Sequence, residues 1–177
     1  MLFRSGTLRI WNRTSTLEAL VDLSQQVTTL AISADGKLLA TGGVINDRPA
    51  IVVRDIATNK MLGTLLGHEA AITCLKFNSD GKRLASGSVD KTARVWNLAD
   101  PKFPELVCVT GHAASVTAVA LNSDGTQILS GAADNTLKLW SVGESKELFN
   151  LSGHTGAIVA AAISPAGSEG RRAGKEW

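Results

Sequence analysis

The chain has 177 residues, 44% of them apolar, which is enough to bury a core and too apolar for intrinsic disorder. A net charge of only +2 argues against a nucleic-acid footprint, and two cysteines, Cys74 and Cys108, fit neither a disulfide framework nor a zinc spacing. The opening MLFRSGTLRIWNR holds no long apolar run, so neither a signal peptide nor a membrane span is expected.

In chain order, residues 7–12 (Thr-Leu-Arg-Ile-Trp-Asn) alternate in character and read as a strand, with 16–21 as its neighbour. Val27 to Ser33 is apolar at alternate positions and reads as the next strand. Asp35-Gly36 supplies a turn, Lys37 to Gly42 a strand, Gly43 to Pro49 a longer connection, and Ala50 to Asp55 a further strand. Gly67 to Asn97, GHEAAITCLKFNSDGKRLASGSVDKTARVWN, reads as three strands joined by turns at Ser79-Asp80-Gly81 and Val89-Asp90-Lys91. An outer strand, Glu105 to Val109, follows a loop that carries Pro101 and Pro104, residues unable to donate to a ladder. Gly111 to Ser141 repeats the pattern, with Glu147 to Leu151 as outer strand. A further unit opens at Gly153-His154, with Ala157 to Ser164 as inner strand and Pro165-Ala166-Gly167 at the turn. Residues 166–177 are polar without alternation and read as a disordered, solvated tail.

The units are copies. His68 to His112 spans 44 residues and so does Trp96 to Trp140, while Asp90 and Asp134 each lie six residues before their tryptophan. The unit before them keeps the spacing and loses the side chains. Arg54 stands 42 residues before Trp96, in the tryptophan position, and Asp22-Leu23 stand where Gly-His is due.

Two Gly-His…Asp…Trp units in register resemble the WD40-repeat family, over residues 1 to 165. The resemblance implies an all-β fold of β-propeller blades, each a four-stranded antiparallel sheet. It divides the chain into a partial blade 1–21, blades 22–65, 66–109 and 110–151, and a partial blade 152–165, an open partial propeller. Closed members of such folds have roughly 4–8 blades. Expected core residues are Ile72, Cys74, Leu75, Phe77, Leu84 and Val95 in one blade, and Val116, Val119, Leu121, Ile128 and Leu139 in the next.

The recurring polar set is His68, Ser86, Asp90 and Trp96, repeated as His112, Ser130, Asp134 and Trp140. Asp, His and Ser invite a hydrolase reading, in which Asp orients His and His activates Ser. Two copies argue against it, as does the lack of an evident oxyanion hole or nucleophile elbow. A buried indole N–H needs an acceptor, and a half-buried imidazole needs both nitrogens satisfied. The resemblance implies a structural hydrogen-bonded chain from Asp to His to Ser to Trp within each blade. Ser86 is preferred to Ser88 because the second position is Ala132 in the next copy.

His68, His112 and His154 are evenly spaced, one per unit, and propeller geometry would spread them around a ring, so no metal site is expected. No cofactor is expected either. The Asp-Gly pairs read as turns and lack the close carboxylate spacing of a calcium loop. The resemblance further implies a non-catalytic protein–protein interaction scaffold, and the opening without signal peptide or membrane span leads to the expectation of a cytoplasmic place. Its partners would be proteins or peptides, not nucleic acid or membrane. Glu69, Ala71, Ala113 and Ser115 in the entry loops, and Lys91 and Asn135 in the turns, are the candidate contacts. The alternatives are a fragment of a larger propeller that works by assembling with another chain, including a second copy, and a propeller enzyme.

Overall fold

The computed structural model describes residues 7–11, 17–22 and 26–164, with side chains from residue 26 onward. The described residues form strands and turns and no helix. β1 (Thr7–Trp11) and β2 (Leu17–Asp22) pair antiparallel as a two-stranded sheet. Three four-stranded antiparallel meanders follow. The first holds β3 (Gln26–Ile32), β4 (Leu38–Ile45), β5 (Arg48–Asp55) and β6 (Met61–Leu65). The second holds β7 (Ile72–Phe77), β8 (Arg83–Ser88), β9 (Ala93–Asn97) and β10 (Glu105–Val109). The third holds β11 (Val116–Leu121), β12 (Gln127–Ala132), β13 (Leu137–Ser141) and β14 (Lys146–Leu151). The tail 166–177 and the turn expected at 165–167 lie outside the described residues.

Turn chemistry sets the hairpins. Gly36, Gly81 and Gly125 take φ near +70°, a conformation that glycine reaches without steric cost. The aspartate before each accepts the N–H two residues on, at 3.1 Å for Asp35, 2.8 Å for Asp80 and 2.9 Å for Asp124. The long connection expected from Gly43 to Pro49 is instead mostly strand. β4 runs on to Ile45 and β5 starts at Arg48, with Val44 opposite Pro49 and a two-residue turn at Asn46-Asp47. Both turn residues have positive φ, 49° and 61°, the twist that matches right-handed strands in a tight hairpin.

The core lies between sheets. Ala40, Ile51, Val53 and Leu65 on the first meander pack against Ile72, Leu75, Phe77, Leu84 and Trp96 on the second. Ala85, Ala93, Val95, Val107 and Val109 on the second pack against Val116, Val119, Ile128, Trp140 and Val142 on the third. Each large side chain so buried contributes about 1.5–3 kcal/mol. Of the expected core, Cys74, Leu121 and Leu139 are only half-buried.

A repeated joint fixes the inner strands. A Cβ on Gly42 would lie 2.8 Å from Ile72 Cγ2, and one on Gly87 would lie 2.6 Å from Val116 Cγ1; Gly131 meets Ile158 in the same way. Beside each glycine, a threonine hydroxyl donates to the carbonyl of that branched residue: Thr28 to Ile72 at 2.7 Å, Thr73 to Val116, and Thr117 to Ile158. A second set of links ties the opposite ends of the sheets: Asn78 Nδ2 and Ser79 Oγ donate to the Ser123 carbonyl, and Arg83 Nη1 donates to the Gly125 carbonyl.

The inner strand expected over Ala157 to Ser164 does not form; residues 152–164 carry no strand. A strand needs a ladder partner, and none of the described residues supplies one. Only Ile158 docks, buried over Gly131, with its N–H on the Ala132 carbonyl at 3.1 Å.

Candidate functional site

In the second meander, His68 sits in the loop ahead of β7, Ser86 in β8, Asp90 in the turn after β8 and Trp96 in β9. The imidazole joins them. Its Nδ1 lies 2.8 Å from Asp90 Oδ2, and its Nε2 lies 2.8 Å from Ser86 Oγ. Trp96 Nε1 donates to the same Ser86 oxygen at 3.0 Å. A carboxylate can only accept, so Nδ1 carries the proton; Nε2 then accepts from the serine hydroxyl, which accepts in turn from the indole. The third meander repeats this, with His112 3.1 Å from Asp134 Oδ2 and 2.8 Å from Ser130 Oγ, and Trp140 2.9 Å from that serine. Ser88 lies apart from the set, donating to the Ala70 carbonyl at 3.0 Å and accepting from the Asp90 N–H.

Two participants were not picked out from the sequence. Thr92 and Thr136 donate to Asp90 and Asp134, both at 2.7 Å, and their hydroxyls lie 3.3 Å and 3.2 Å from the histidine Nδ1. Both recur in the repeat at equal spacing, which was the available signal. Backbone N–H groups complete the carboxylate shells, from Glu69 to Asp90 at 3.0 Å and from Ala113 to Asp134 at 2.8 Å.

The electrostatics follow. Burial alone would raise the Asp90 carboxyl, but hydrogen bonds from Thr92, the Glu69 N–H and His68 outweigh it and hold the group at about 2. The same contest, won by Thr136 and the Ala113 N–H, holds Asp134 well below the usual carboxylate range. Burial pushes His68 below its ordinary 6.5, offset only in part by Asp90. Burial likewise raises the Cys74 thiol, which keeps it an inert apolar filler.

Among the described residues, the first meander carries other side chains at these positions. Arg54 occupies the tryptophan position opposite Leu39, its Nε buried without a partner. Buried Thr41 stands where Ser86 and Ser130 do. His154 is exposed, and Gly153 before it takes φ +129°, close to the +134° of Gly111. Among the described residues, no three histidine, cysteine or acidic side chains form a group that could hold a metal ion. No helix among them is long and apolar enough to cross a membrane.

The entry loops and the turns meet at one end of each sheet. The Val89 N–H donates to the Ala71 carbonyl and the Ala133 N–H to the Ser115 carbonyl, both at 2.9 Å. Lys91 and Asn135 cap the turns in left-handed conformations, φ 69° and 67°. Glu69, Ala71, Lys91 and Ala113 are exposed, and Ser115 and Asn135 are half-buried.

Three segments, residues 17–48, 59–97 and 104–141, match the family model described as WD domain, G-beta repeat, and together they make up more than half of the chain. The chain belongs to the WD40-repeat family. A chain in the crystal structure of a mitotic checkpoint complex matches this WD40 chain with a TM-score of 0.76 at 27% identity, covering 91% of this chain and 48% of that one. "Transcription factor unc-37" of Caenorhabditis elegans is 35% identical over 105 residues, 55% of this chain and 16% of that protein. "Target of rapamycin complex subunit wat1" of Schizosaccharomyces pombe is 35% identical over 108 residues, 57% of this chain and 33% of that protein. "Periodic tryptophan protein 2 homolog" of the same yeast is 38% identical over 73 residues, 41% of this chain and 8% of that protein. The WD40 repeats here thus span a third or less of these curated relatives.

Proposed function

We propose that the chain is a non-catalytic scaffold for protein–protein interaction, part of a larger propeller or multidomain assembly, that presents rigid loops to protein or peptide partners. The observation that carries this reading is the closure of each polar set on itself. Each serine hydroxyl is held between a histidine and an indole, with Ser86 and Ser130 fully buried. Each aspartate also takes the N–H of an entry-loop residue. The set spends its donors and acceptors on fixing the loops, leaving no nucleophile facing solvent.

That anchoring makes Glu69, Ala71 and Lys91 one fixed patch, and Ala113, Ser115 and Asn135 the matching patch on the next blade. Preorganised loops bind with less ordering cost than mobile ones. Two proteins of matching sequence or fold are named for complexes, the target of rapamycin complex and the mitotic checkpoint complex, which accords with protein partners. Nucleic acid and membrane are not among the proposed partners, and no metal or cofactor is needed. Two free cysteines suit a reducing compartment, in line with a cytoplasmic place.

The test is affinity purification of the chain and of a loop variant carrying Glu69→Lys, Lys91→Glu, Ser115→Lys and Asn135→Lys. Partners lost from the variant, with its melting unchanged, support the reading. Partners retained in full remove these loops from it. Hydrolysis of an ester, peptide or glycoside substrate that disappears with Ser86→Ala would overturn the non-catalytic assignment.

A further inference from the structure

The connection between β9 and β10 departs from the repeat. It runs over residues 98–104, against 56–60 in the first meander and 142–145 in the third. Its first residue keeps the shared anchor: the Leu98 N–H donates to the Lys82 carbonyl at 2.7 Å, as Ile56 does to Lys37 and Val142 to Thr126. The extra length then crosses to the neighbouring sheet. Phe103 lies on the bare α-carbon of Gly63 in β6, where a Cβ would overlap its ring. It holds that place in a left-handed conformation, φ 49°, with its N–H on the Asp100 carbonyl at 2.9 Å.

Beside this bridge is an open pocket of about 340 Å³. Leu38, Val53 and Leu62 of the first meander form one side, and Leu98, Pro101 and Phe103 of the connection form the other. Every lining side chain is apolar. Val53 is fully buried, while Leu62 is 41% exposed. In the next seam Val142 takes the place of Leu98 and is buried in the core, whereas Leu98 is half-buried. The volume lies at the small end of ligand sites, about 300–1,000 Å³, and suits a side chain or two rather than a cofactor. Lys60, two residues before Leu62, and Lys102, between Pro101 and Phe103, are exposed and, among the described residues, in no ion pair. The nearby carboxylates are engaged. Asp55 takes the Thr58 N–H and hydroxyl at 2.8 and 2.7 Å, and Asp100 takes the Lys102 N–H at 2.8 Å. Asp35 and Asp80 face Lys37 and Lys82 at 3.7 and 3.8 Å. The charge left unmatched at the rim is therefore positive.

We propose that this pocket takes an apolar side chain from an acidic peptide segment of a partner protein, with the segment's carboxylates against Lys60 and Lys102. An apolar anchor in a preformed pocket supplies affinity, and the flanking charges supply selection. The pocket lies at the end of the sheets opposite the entry loops, so either surface can fail without the other.

Fluorescence anisotropy on the full chain tests it with three labelled peptides, each holding two leucines flanked by glutamates, by lysines or by serines. The glutamate peptide should bind saturably, about tenfold tighter than the other two, the order of two partly exposed ion pairs. Lys60→Glu combined with Lys102→Glu should remove that preference and favour the lysine peptide. Leu62→Asp should abolish binding of the glutamate peptide; Ala99→Asp, at an exposed lining position, is the second variant if the first lowers the melting temperature. The loop variant Glu69→Lys, Lys91→Glu, Ser115→Lys, Asn135→Lys should bind the glutamate peptide as the unaltered chain does. The proposal is overturned by absence of saturable binding, by equal binding of the lysine or serine peptide, or by binding that survives the lysine reversals or the pocket variants. Loss of the glutamate peptide in the loop variant alone places it on the loops and overturns the assignment as well.

Discussion

Removing the Ser86 hydroxyl, as in Ser86→Ala, should test the polar web at its narrowest point. Ser86 is 0% exposed, and its oxygen serves two partners, Trp96 at 3.0 Å and His68 at 2.8 Å, which are themselves 2% and 6% exposed. The substitution leaves an indole donor and an imidazole acceptor buried without partners, and each such group costs about 1–3 kcal/mol. Water cannot reach either group without opening the sheet, so the expected loss is about 2–4 kcal/mol. Urea unfolding followed by tryptophan fluorescence should move its midpoint down by roughly 1–2 M at ordinary slopes. A double-mutant cycle with Trp96→Phe sharpens the test. Coupling of roughly 0.5 kcal/mol or more is expected, because the second removal no longer orphans a donor. An unmoved midpoint, or strictly additive losses, would refute the argument that this serine is the hub.

Other outcomes follow from the same geometry. His68→Ala and Asp90→Ala should each lower stability by about 1–3 kcal/mol, read from melting curves, since each breaks the web and frees the entry loop. Stability should fall on acidification in two stages. His68 titrates below its ordinary 6.5 when folded, so the unfolded chain takes up protons first and stability drops as pH falls through that value. Asp90, held at about 2 against an ordinary 3.8, keeps its contribution above 3.8 and loses it as pH falls toward 2; Asp90→Asn should flatten that second stage in a pH series of denaturant midpoints. Gly87→Ala should cost about 1–3 kcal/mol by overpacking, because the added methyl would lie 2.6 Å from Val116 Cγ1 and 2.7 Å from Cys74 Sγ, and calorimetry should register it. Asp47→Gly should raise stability by about 0.5 kcal/mol by relieving a left-handed residue in the Asn46-Asp47 turn, a gain visible in the melting temperature.

Much of this molecule could be read from side chains that recur. Asp-Gly turns, alternating apolar strands and the Gly-His…Asp…Trp spacing placed the second and third meanders almost residue by residue, since turn chemistry and period are local properties. Three things were not local. The Asn46-Asp47 hairpin carries no glycine, so residues 43–49 read as loop although the ladder runs through Val44 and Pro49. Gly42, Gly87 and Gly131 look like ordinary small strand residues until the neighbouring sheet is in place, because what they make room for lies some 30 positions away or fewer in sequence and in a different sheet. The segment after His154 has the alternation of a strand and still forms none, because pattern supplies a face and pairing requires a second chain segment.

The seam between modules uses the same atoms each time, a bare α-carbon on one side and a forked side chain on the other. Whole modules can therefore be duplicated or deleted during evolution while every surviving seam still matches. A slip of one residue instead sets Ser86 or Ser88 against Val116 and wedges the sheets apart. Between seams the connections are free to vary, 42 residues from Arg54 to Trp96 against 44 from Trp96 to Trp140, while the strands that carry the seam keep their register.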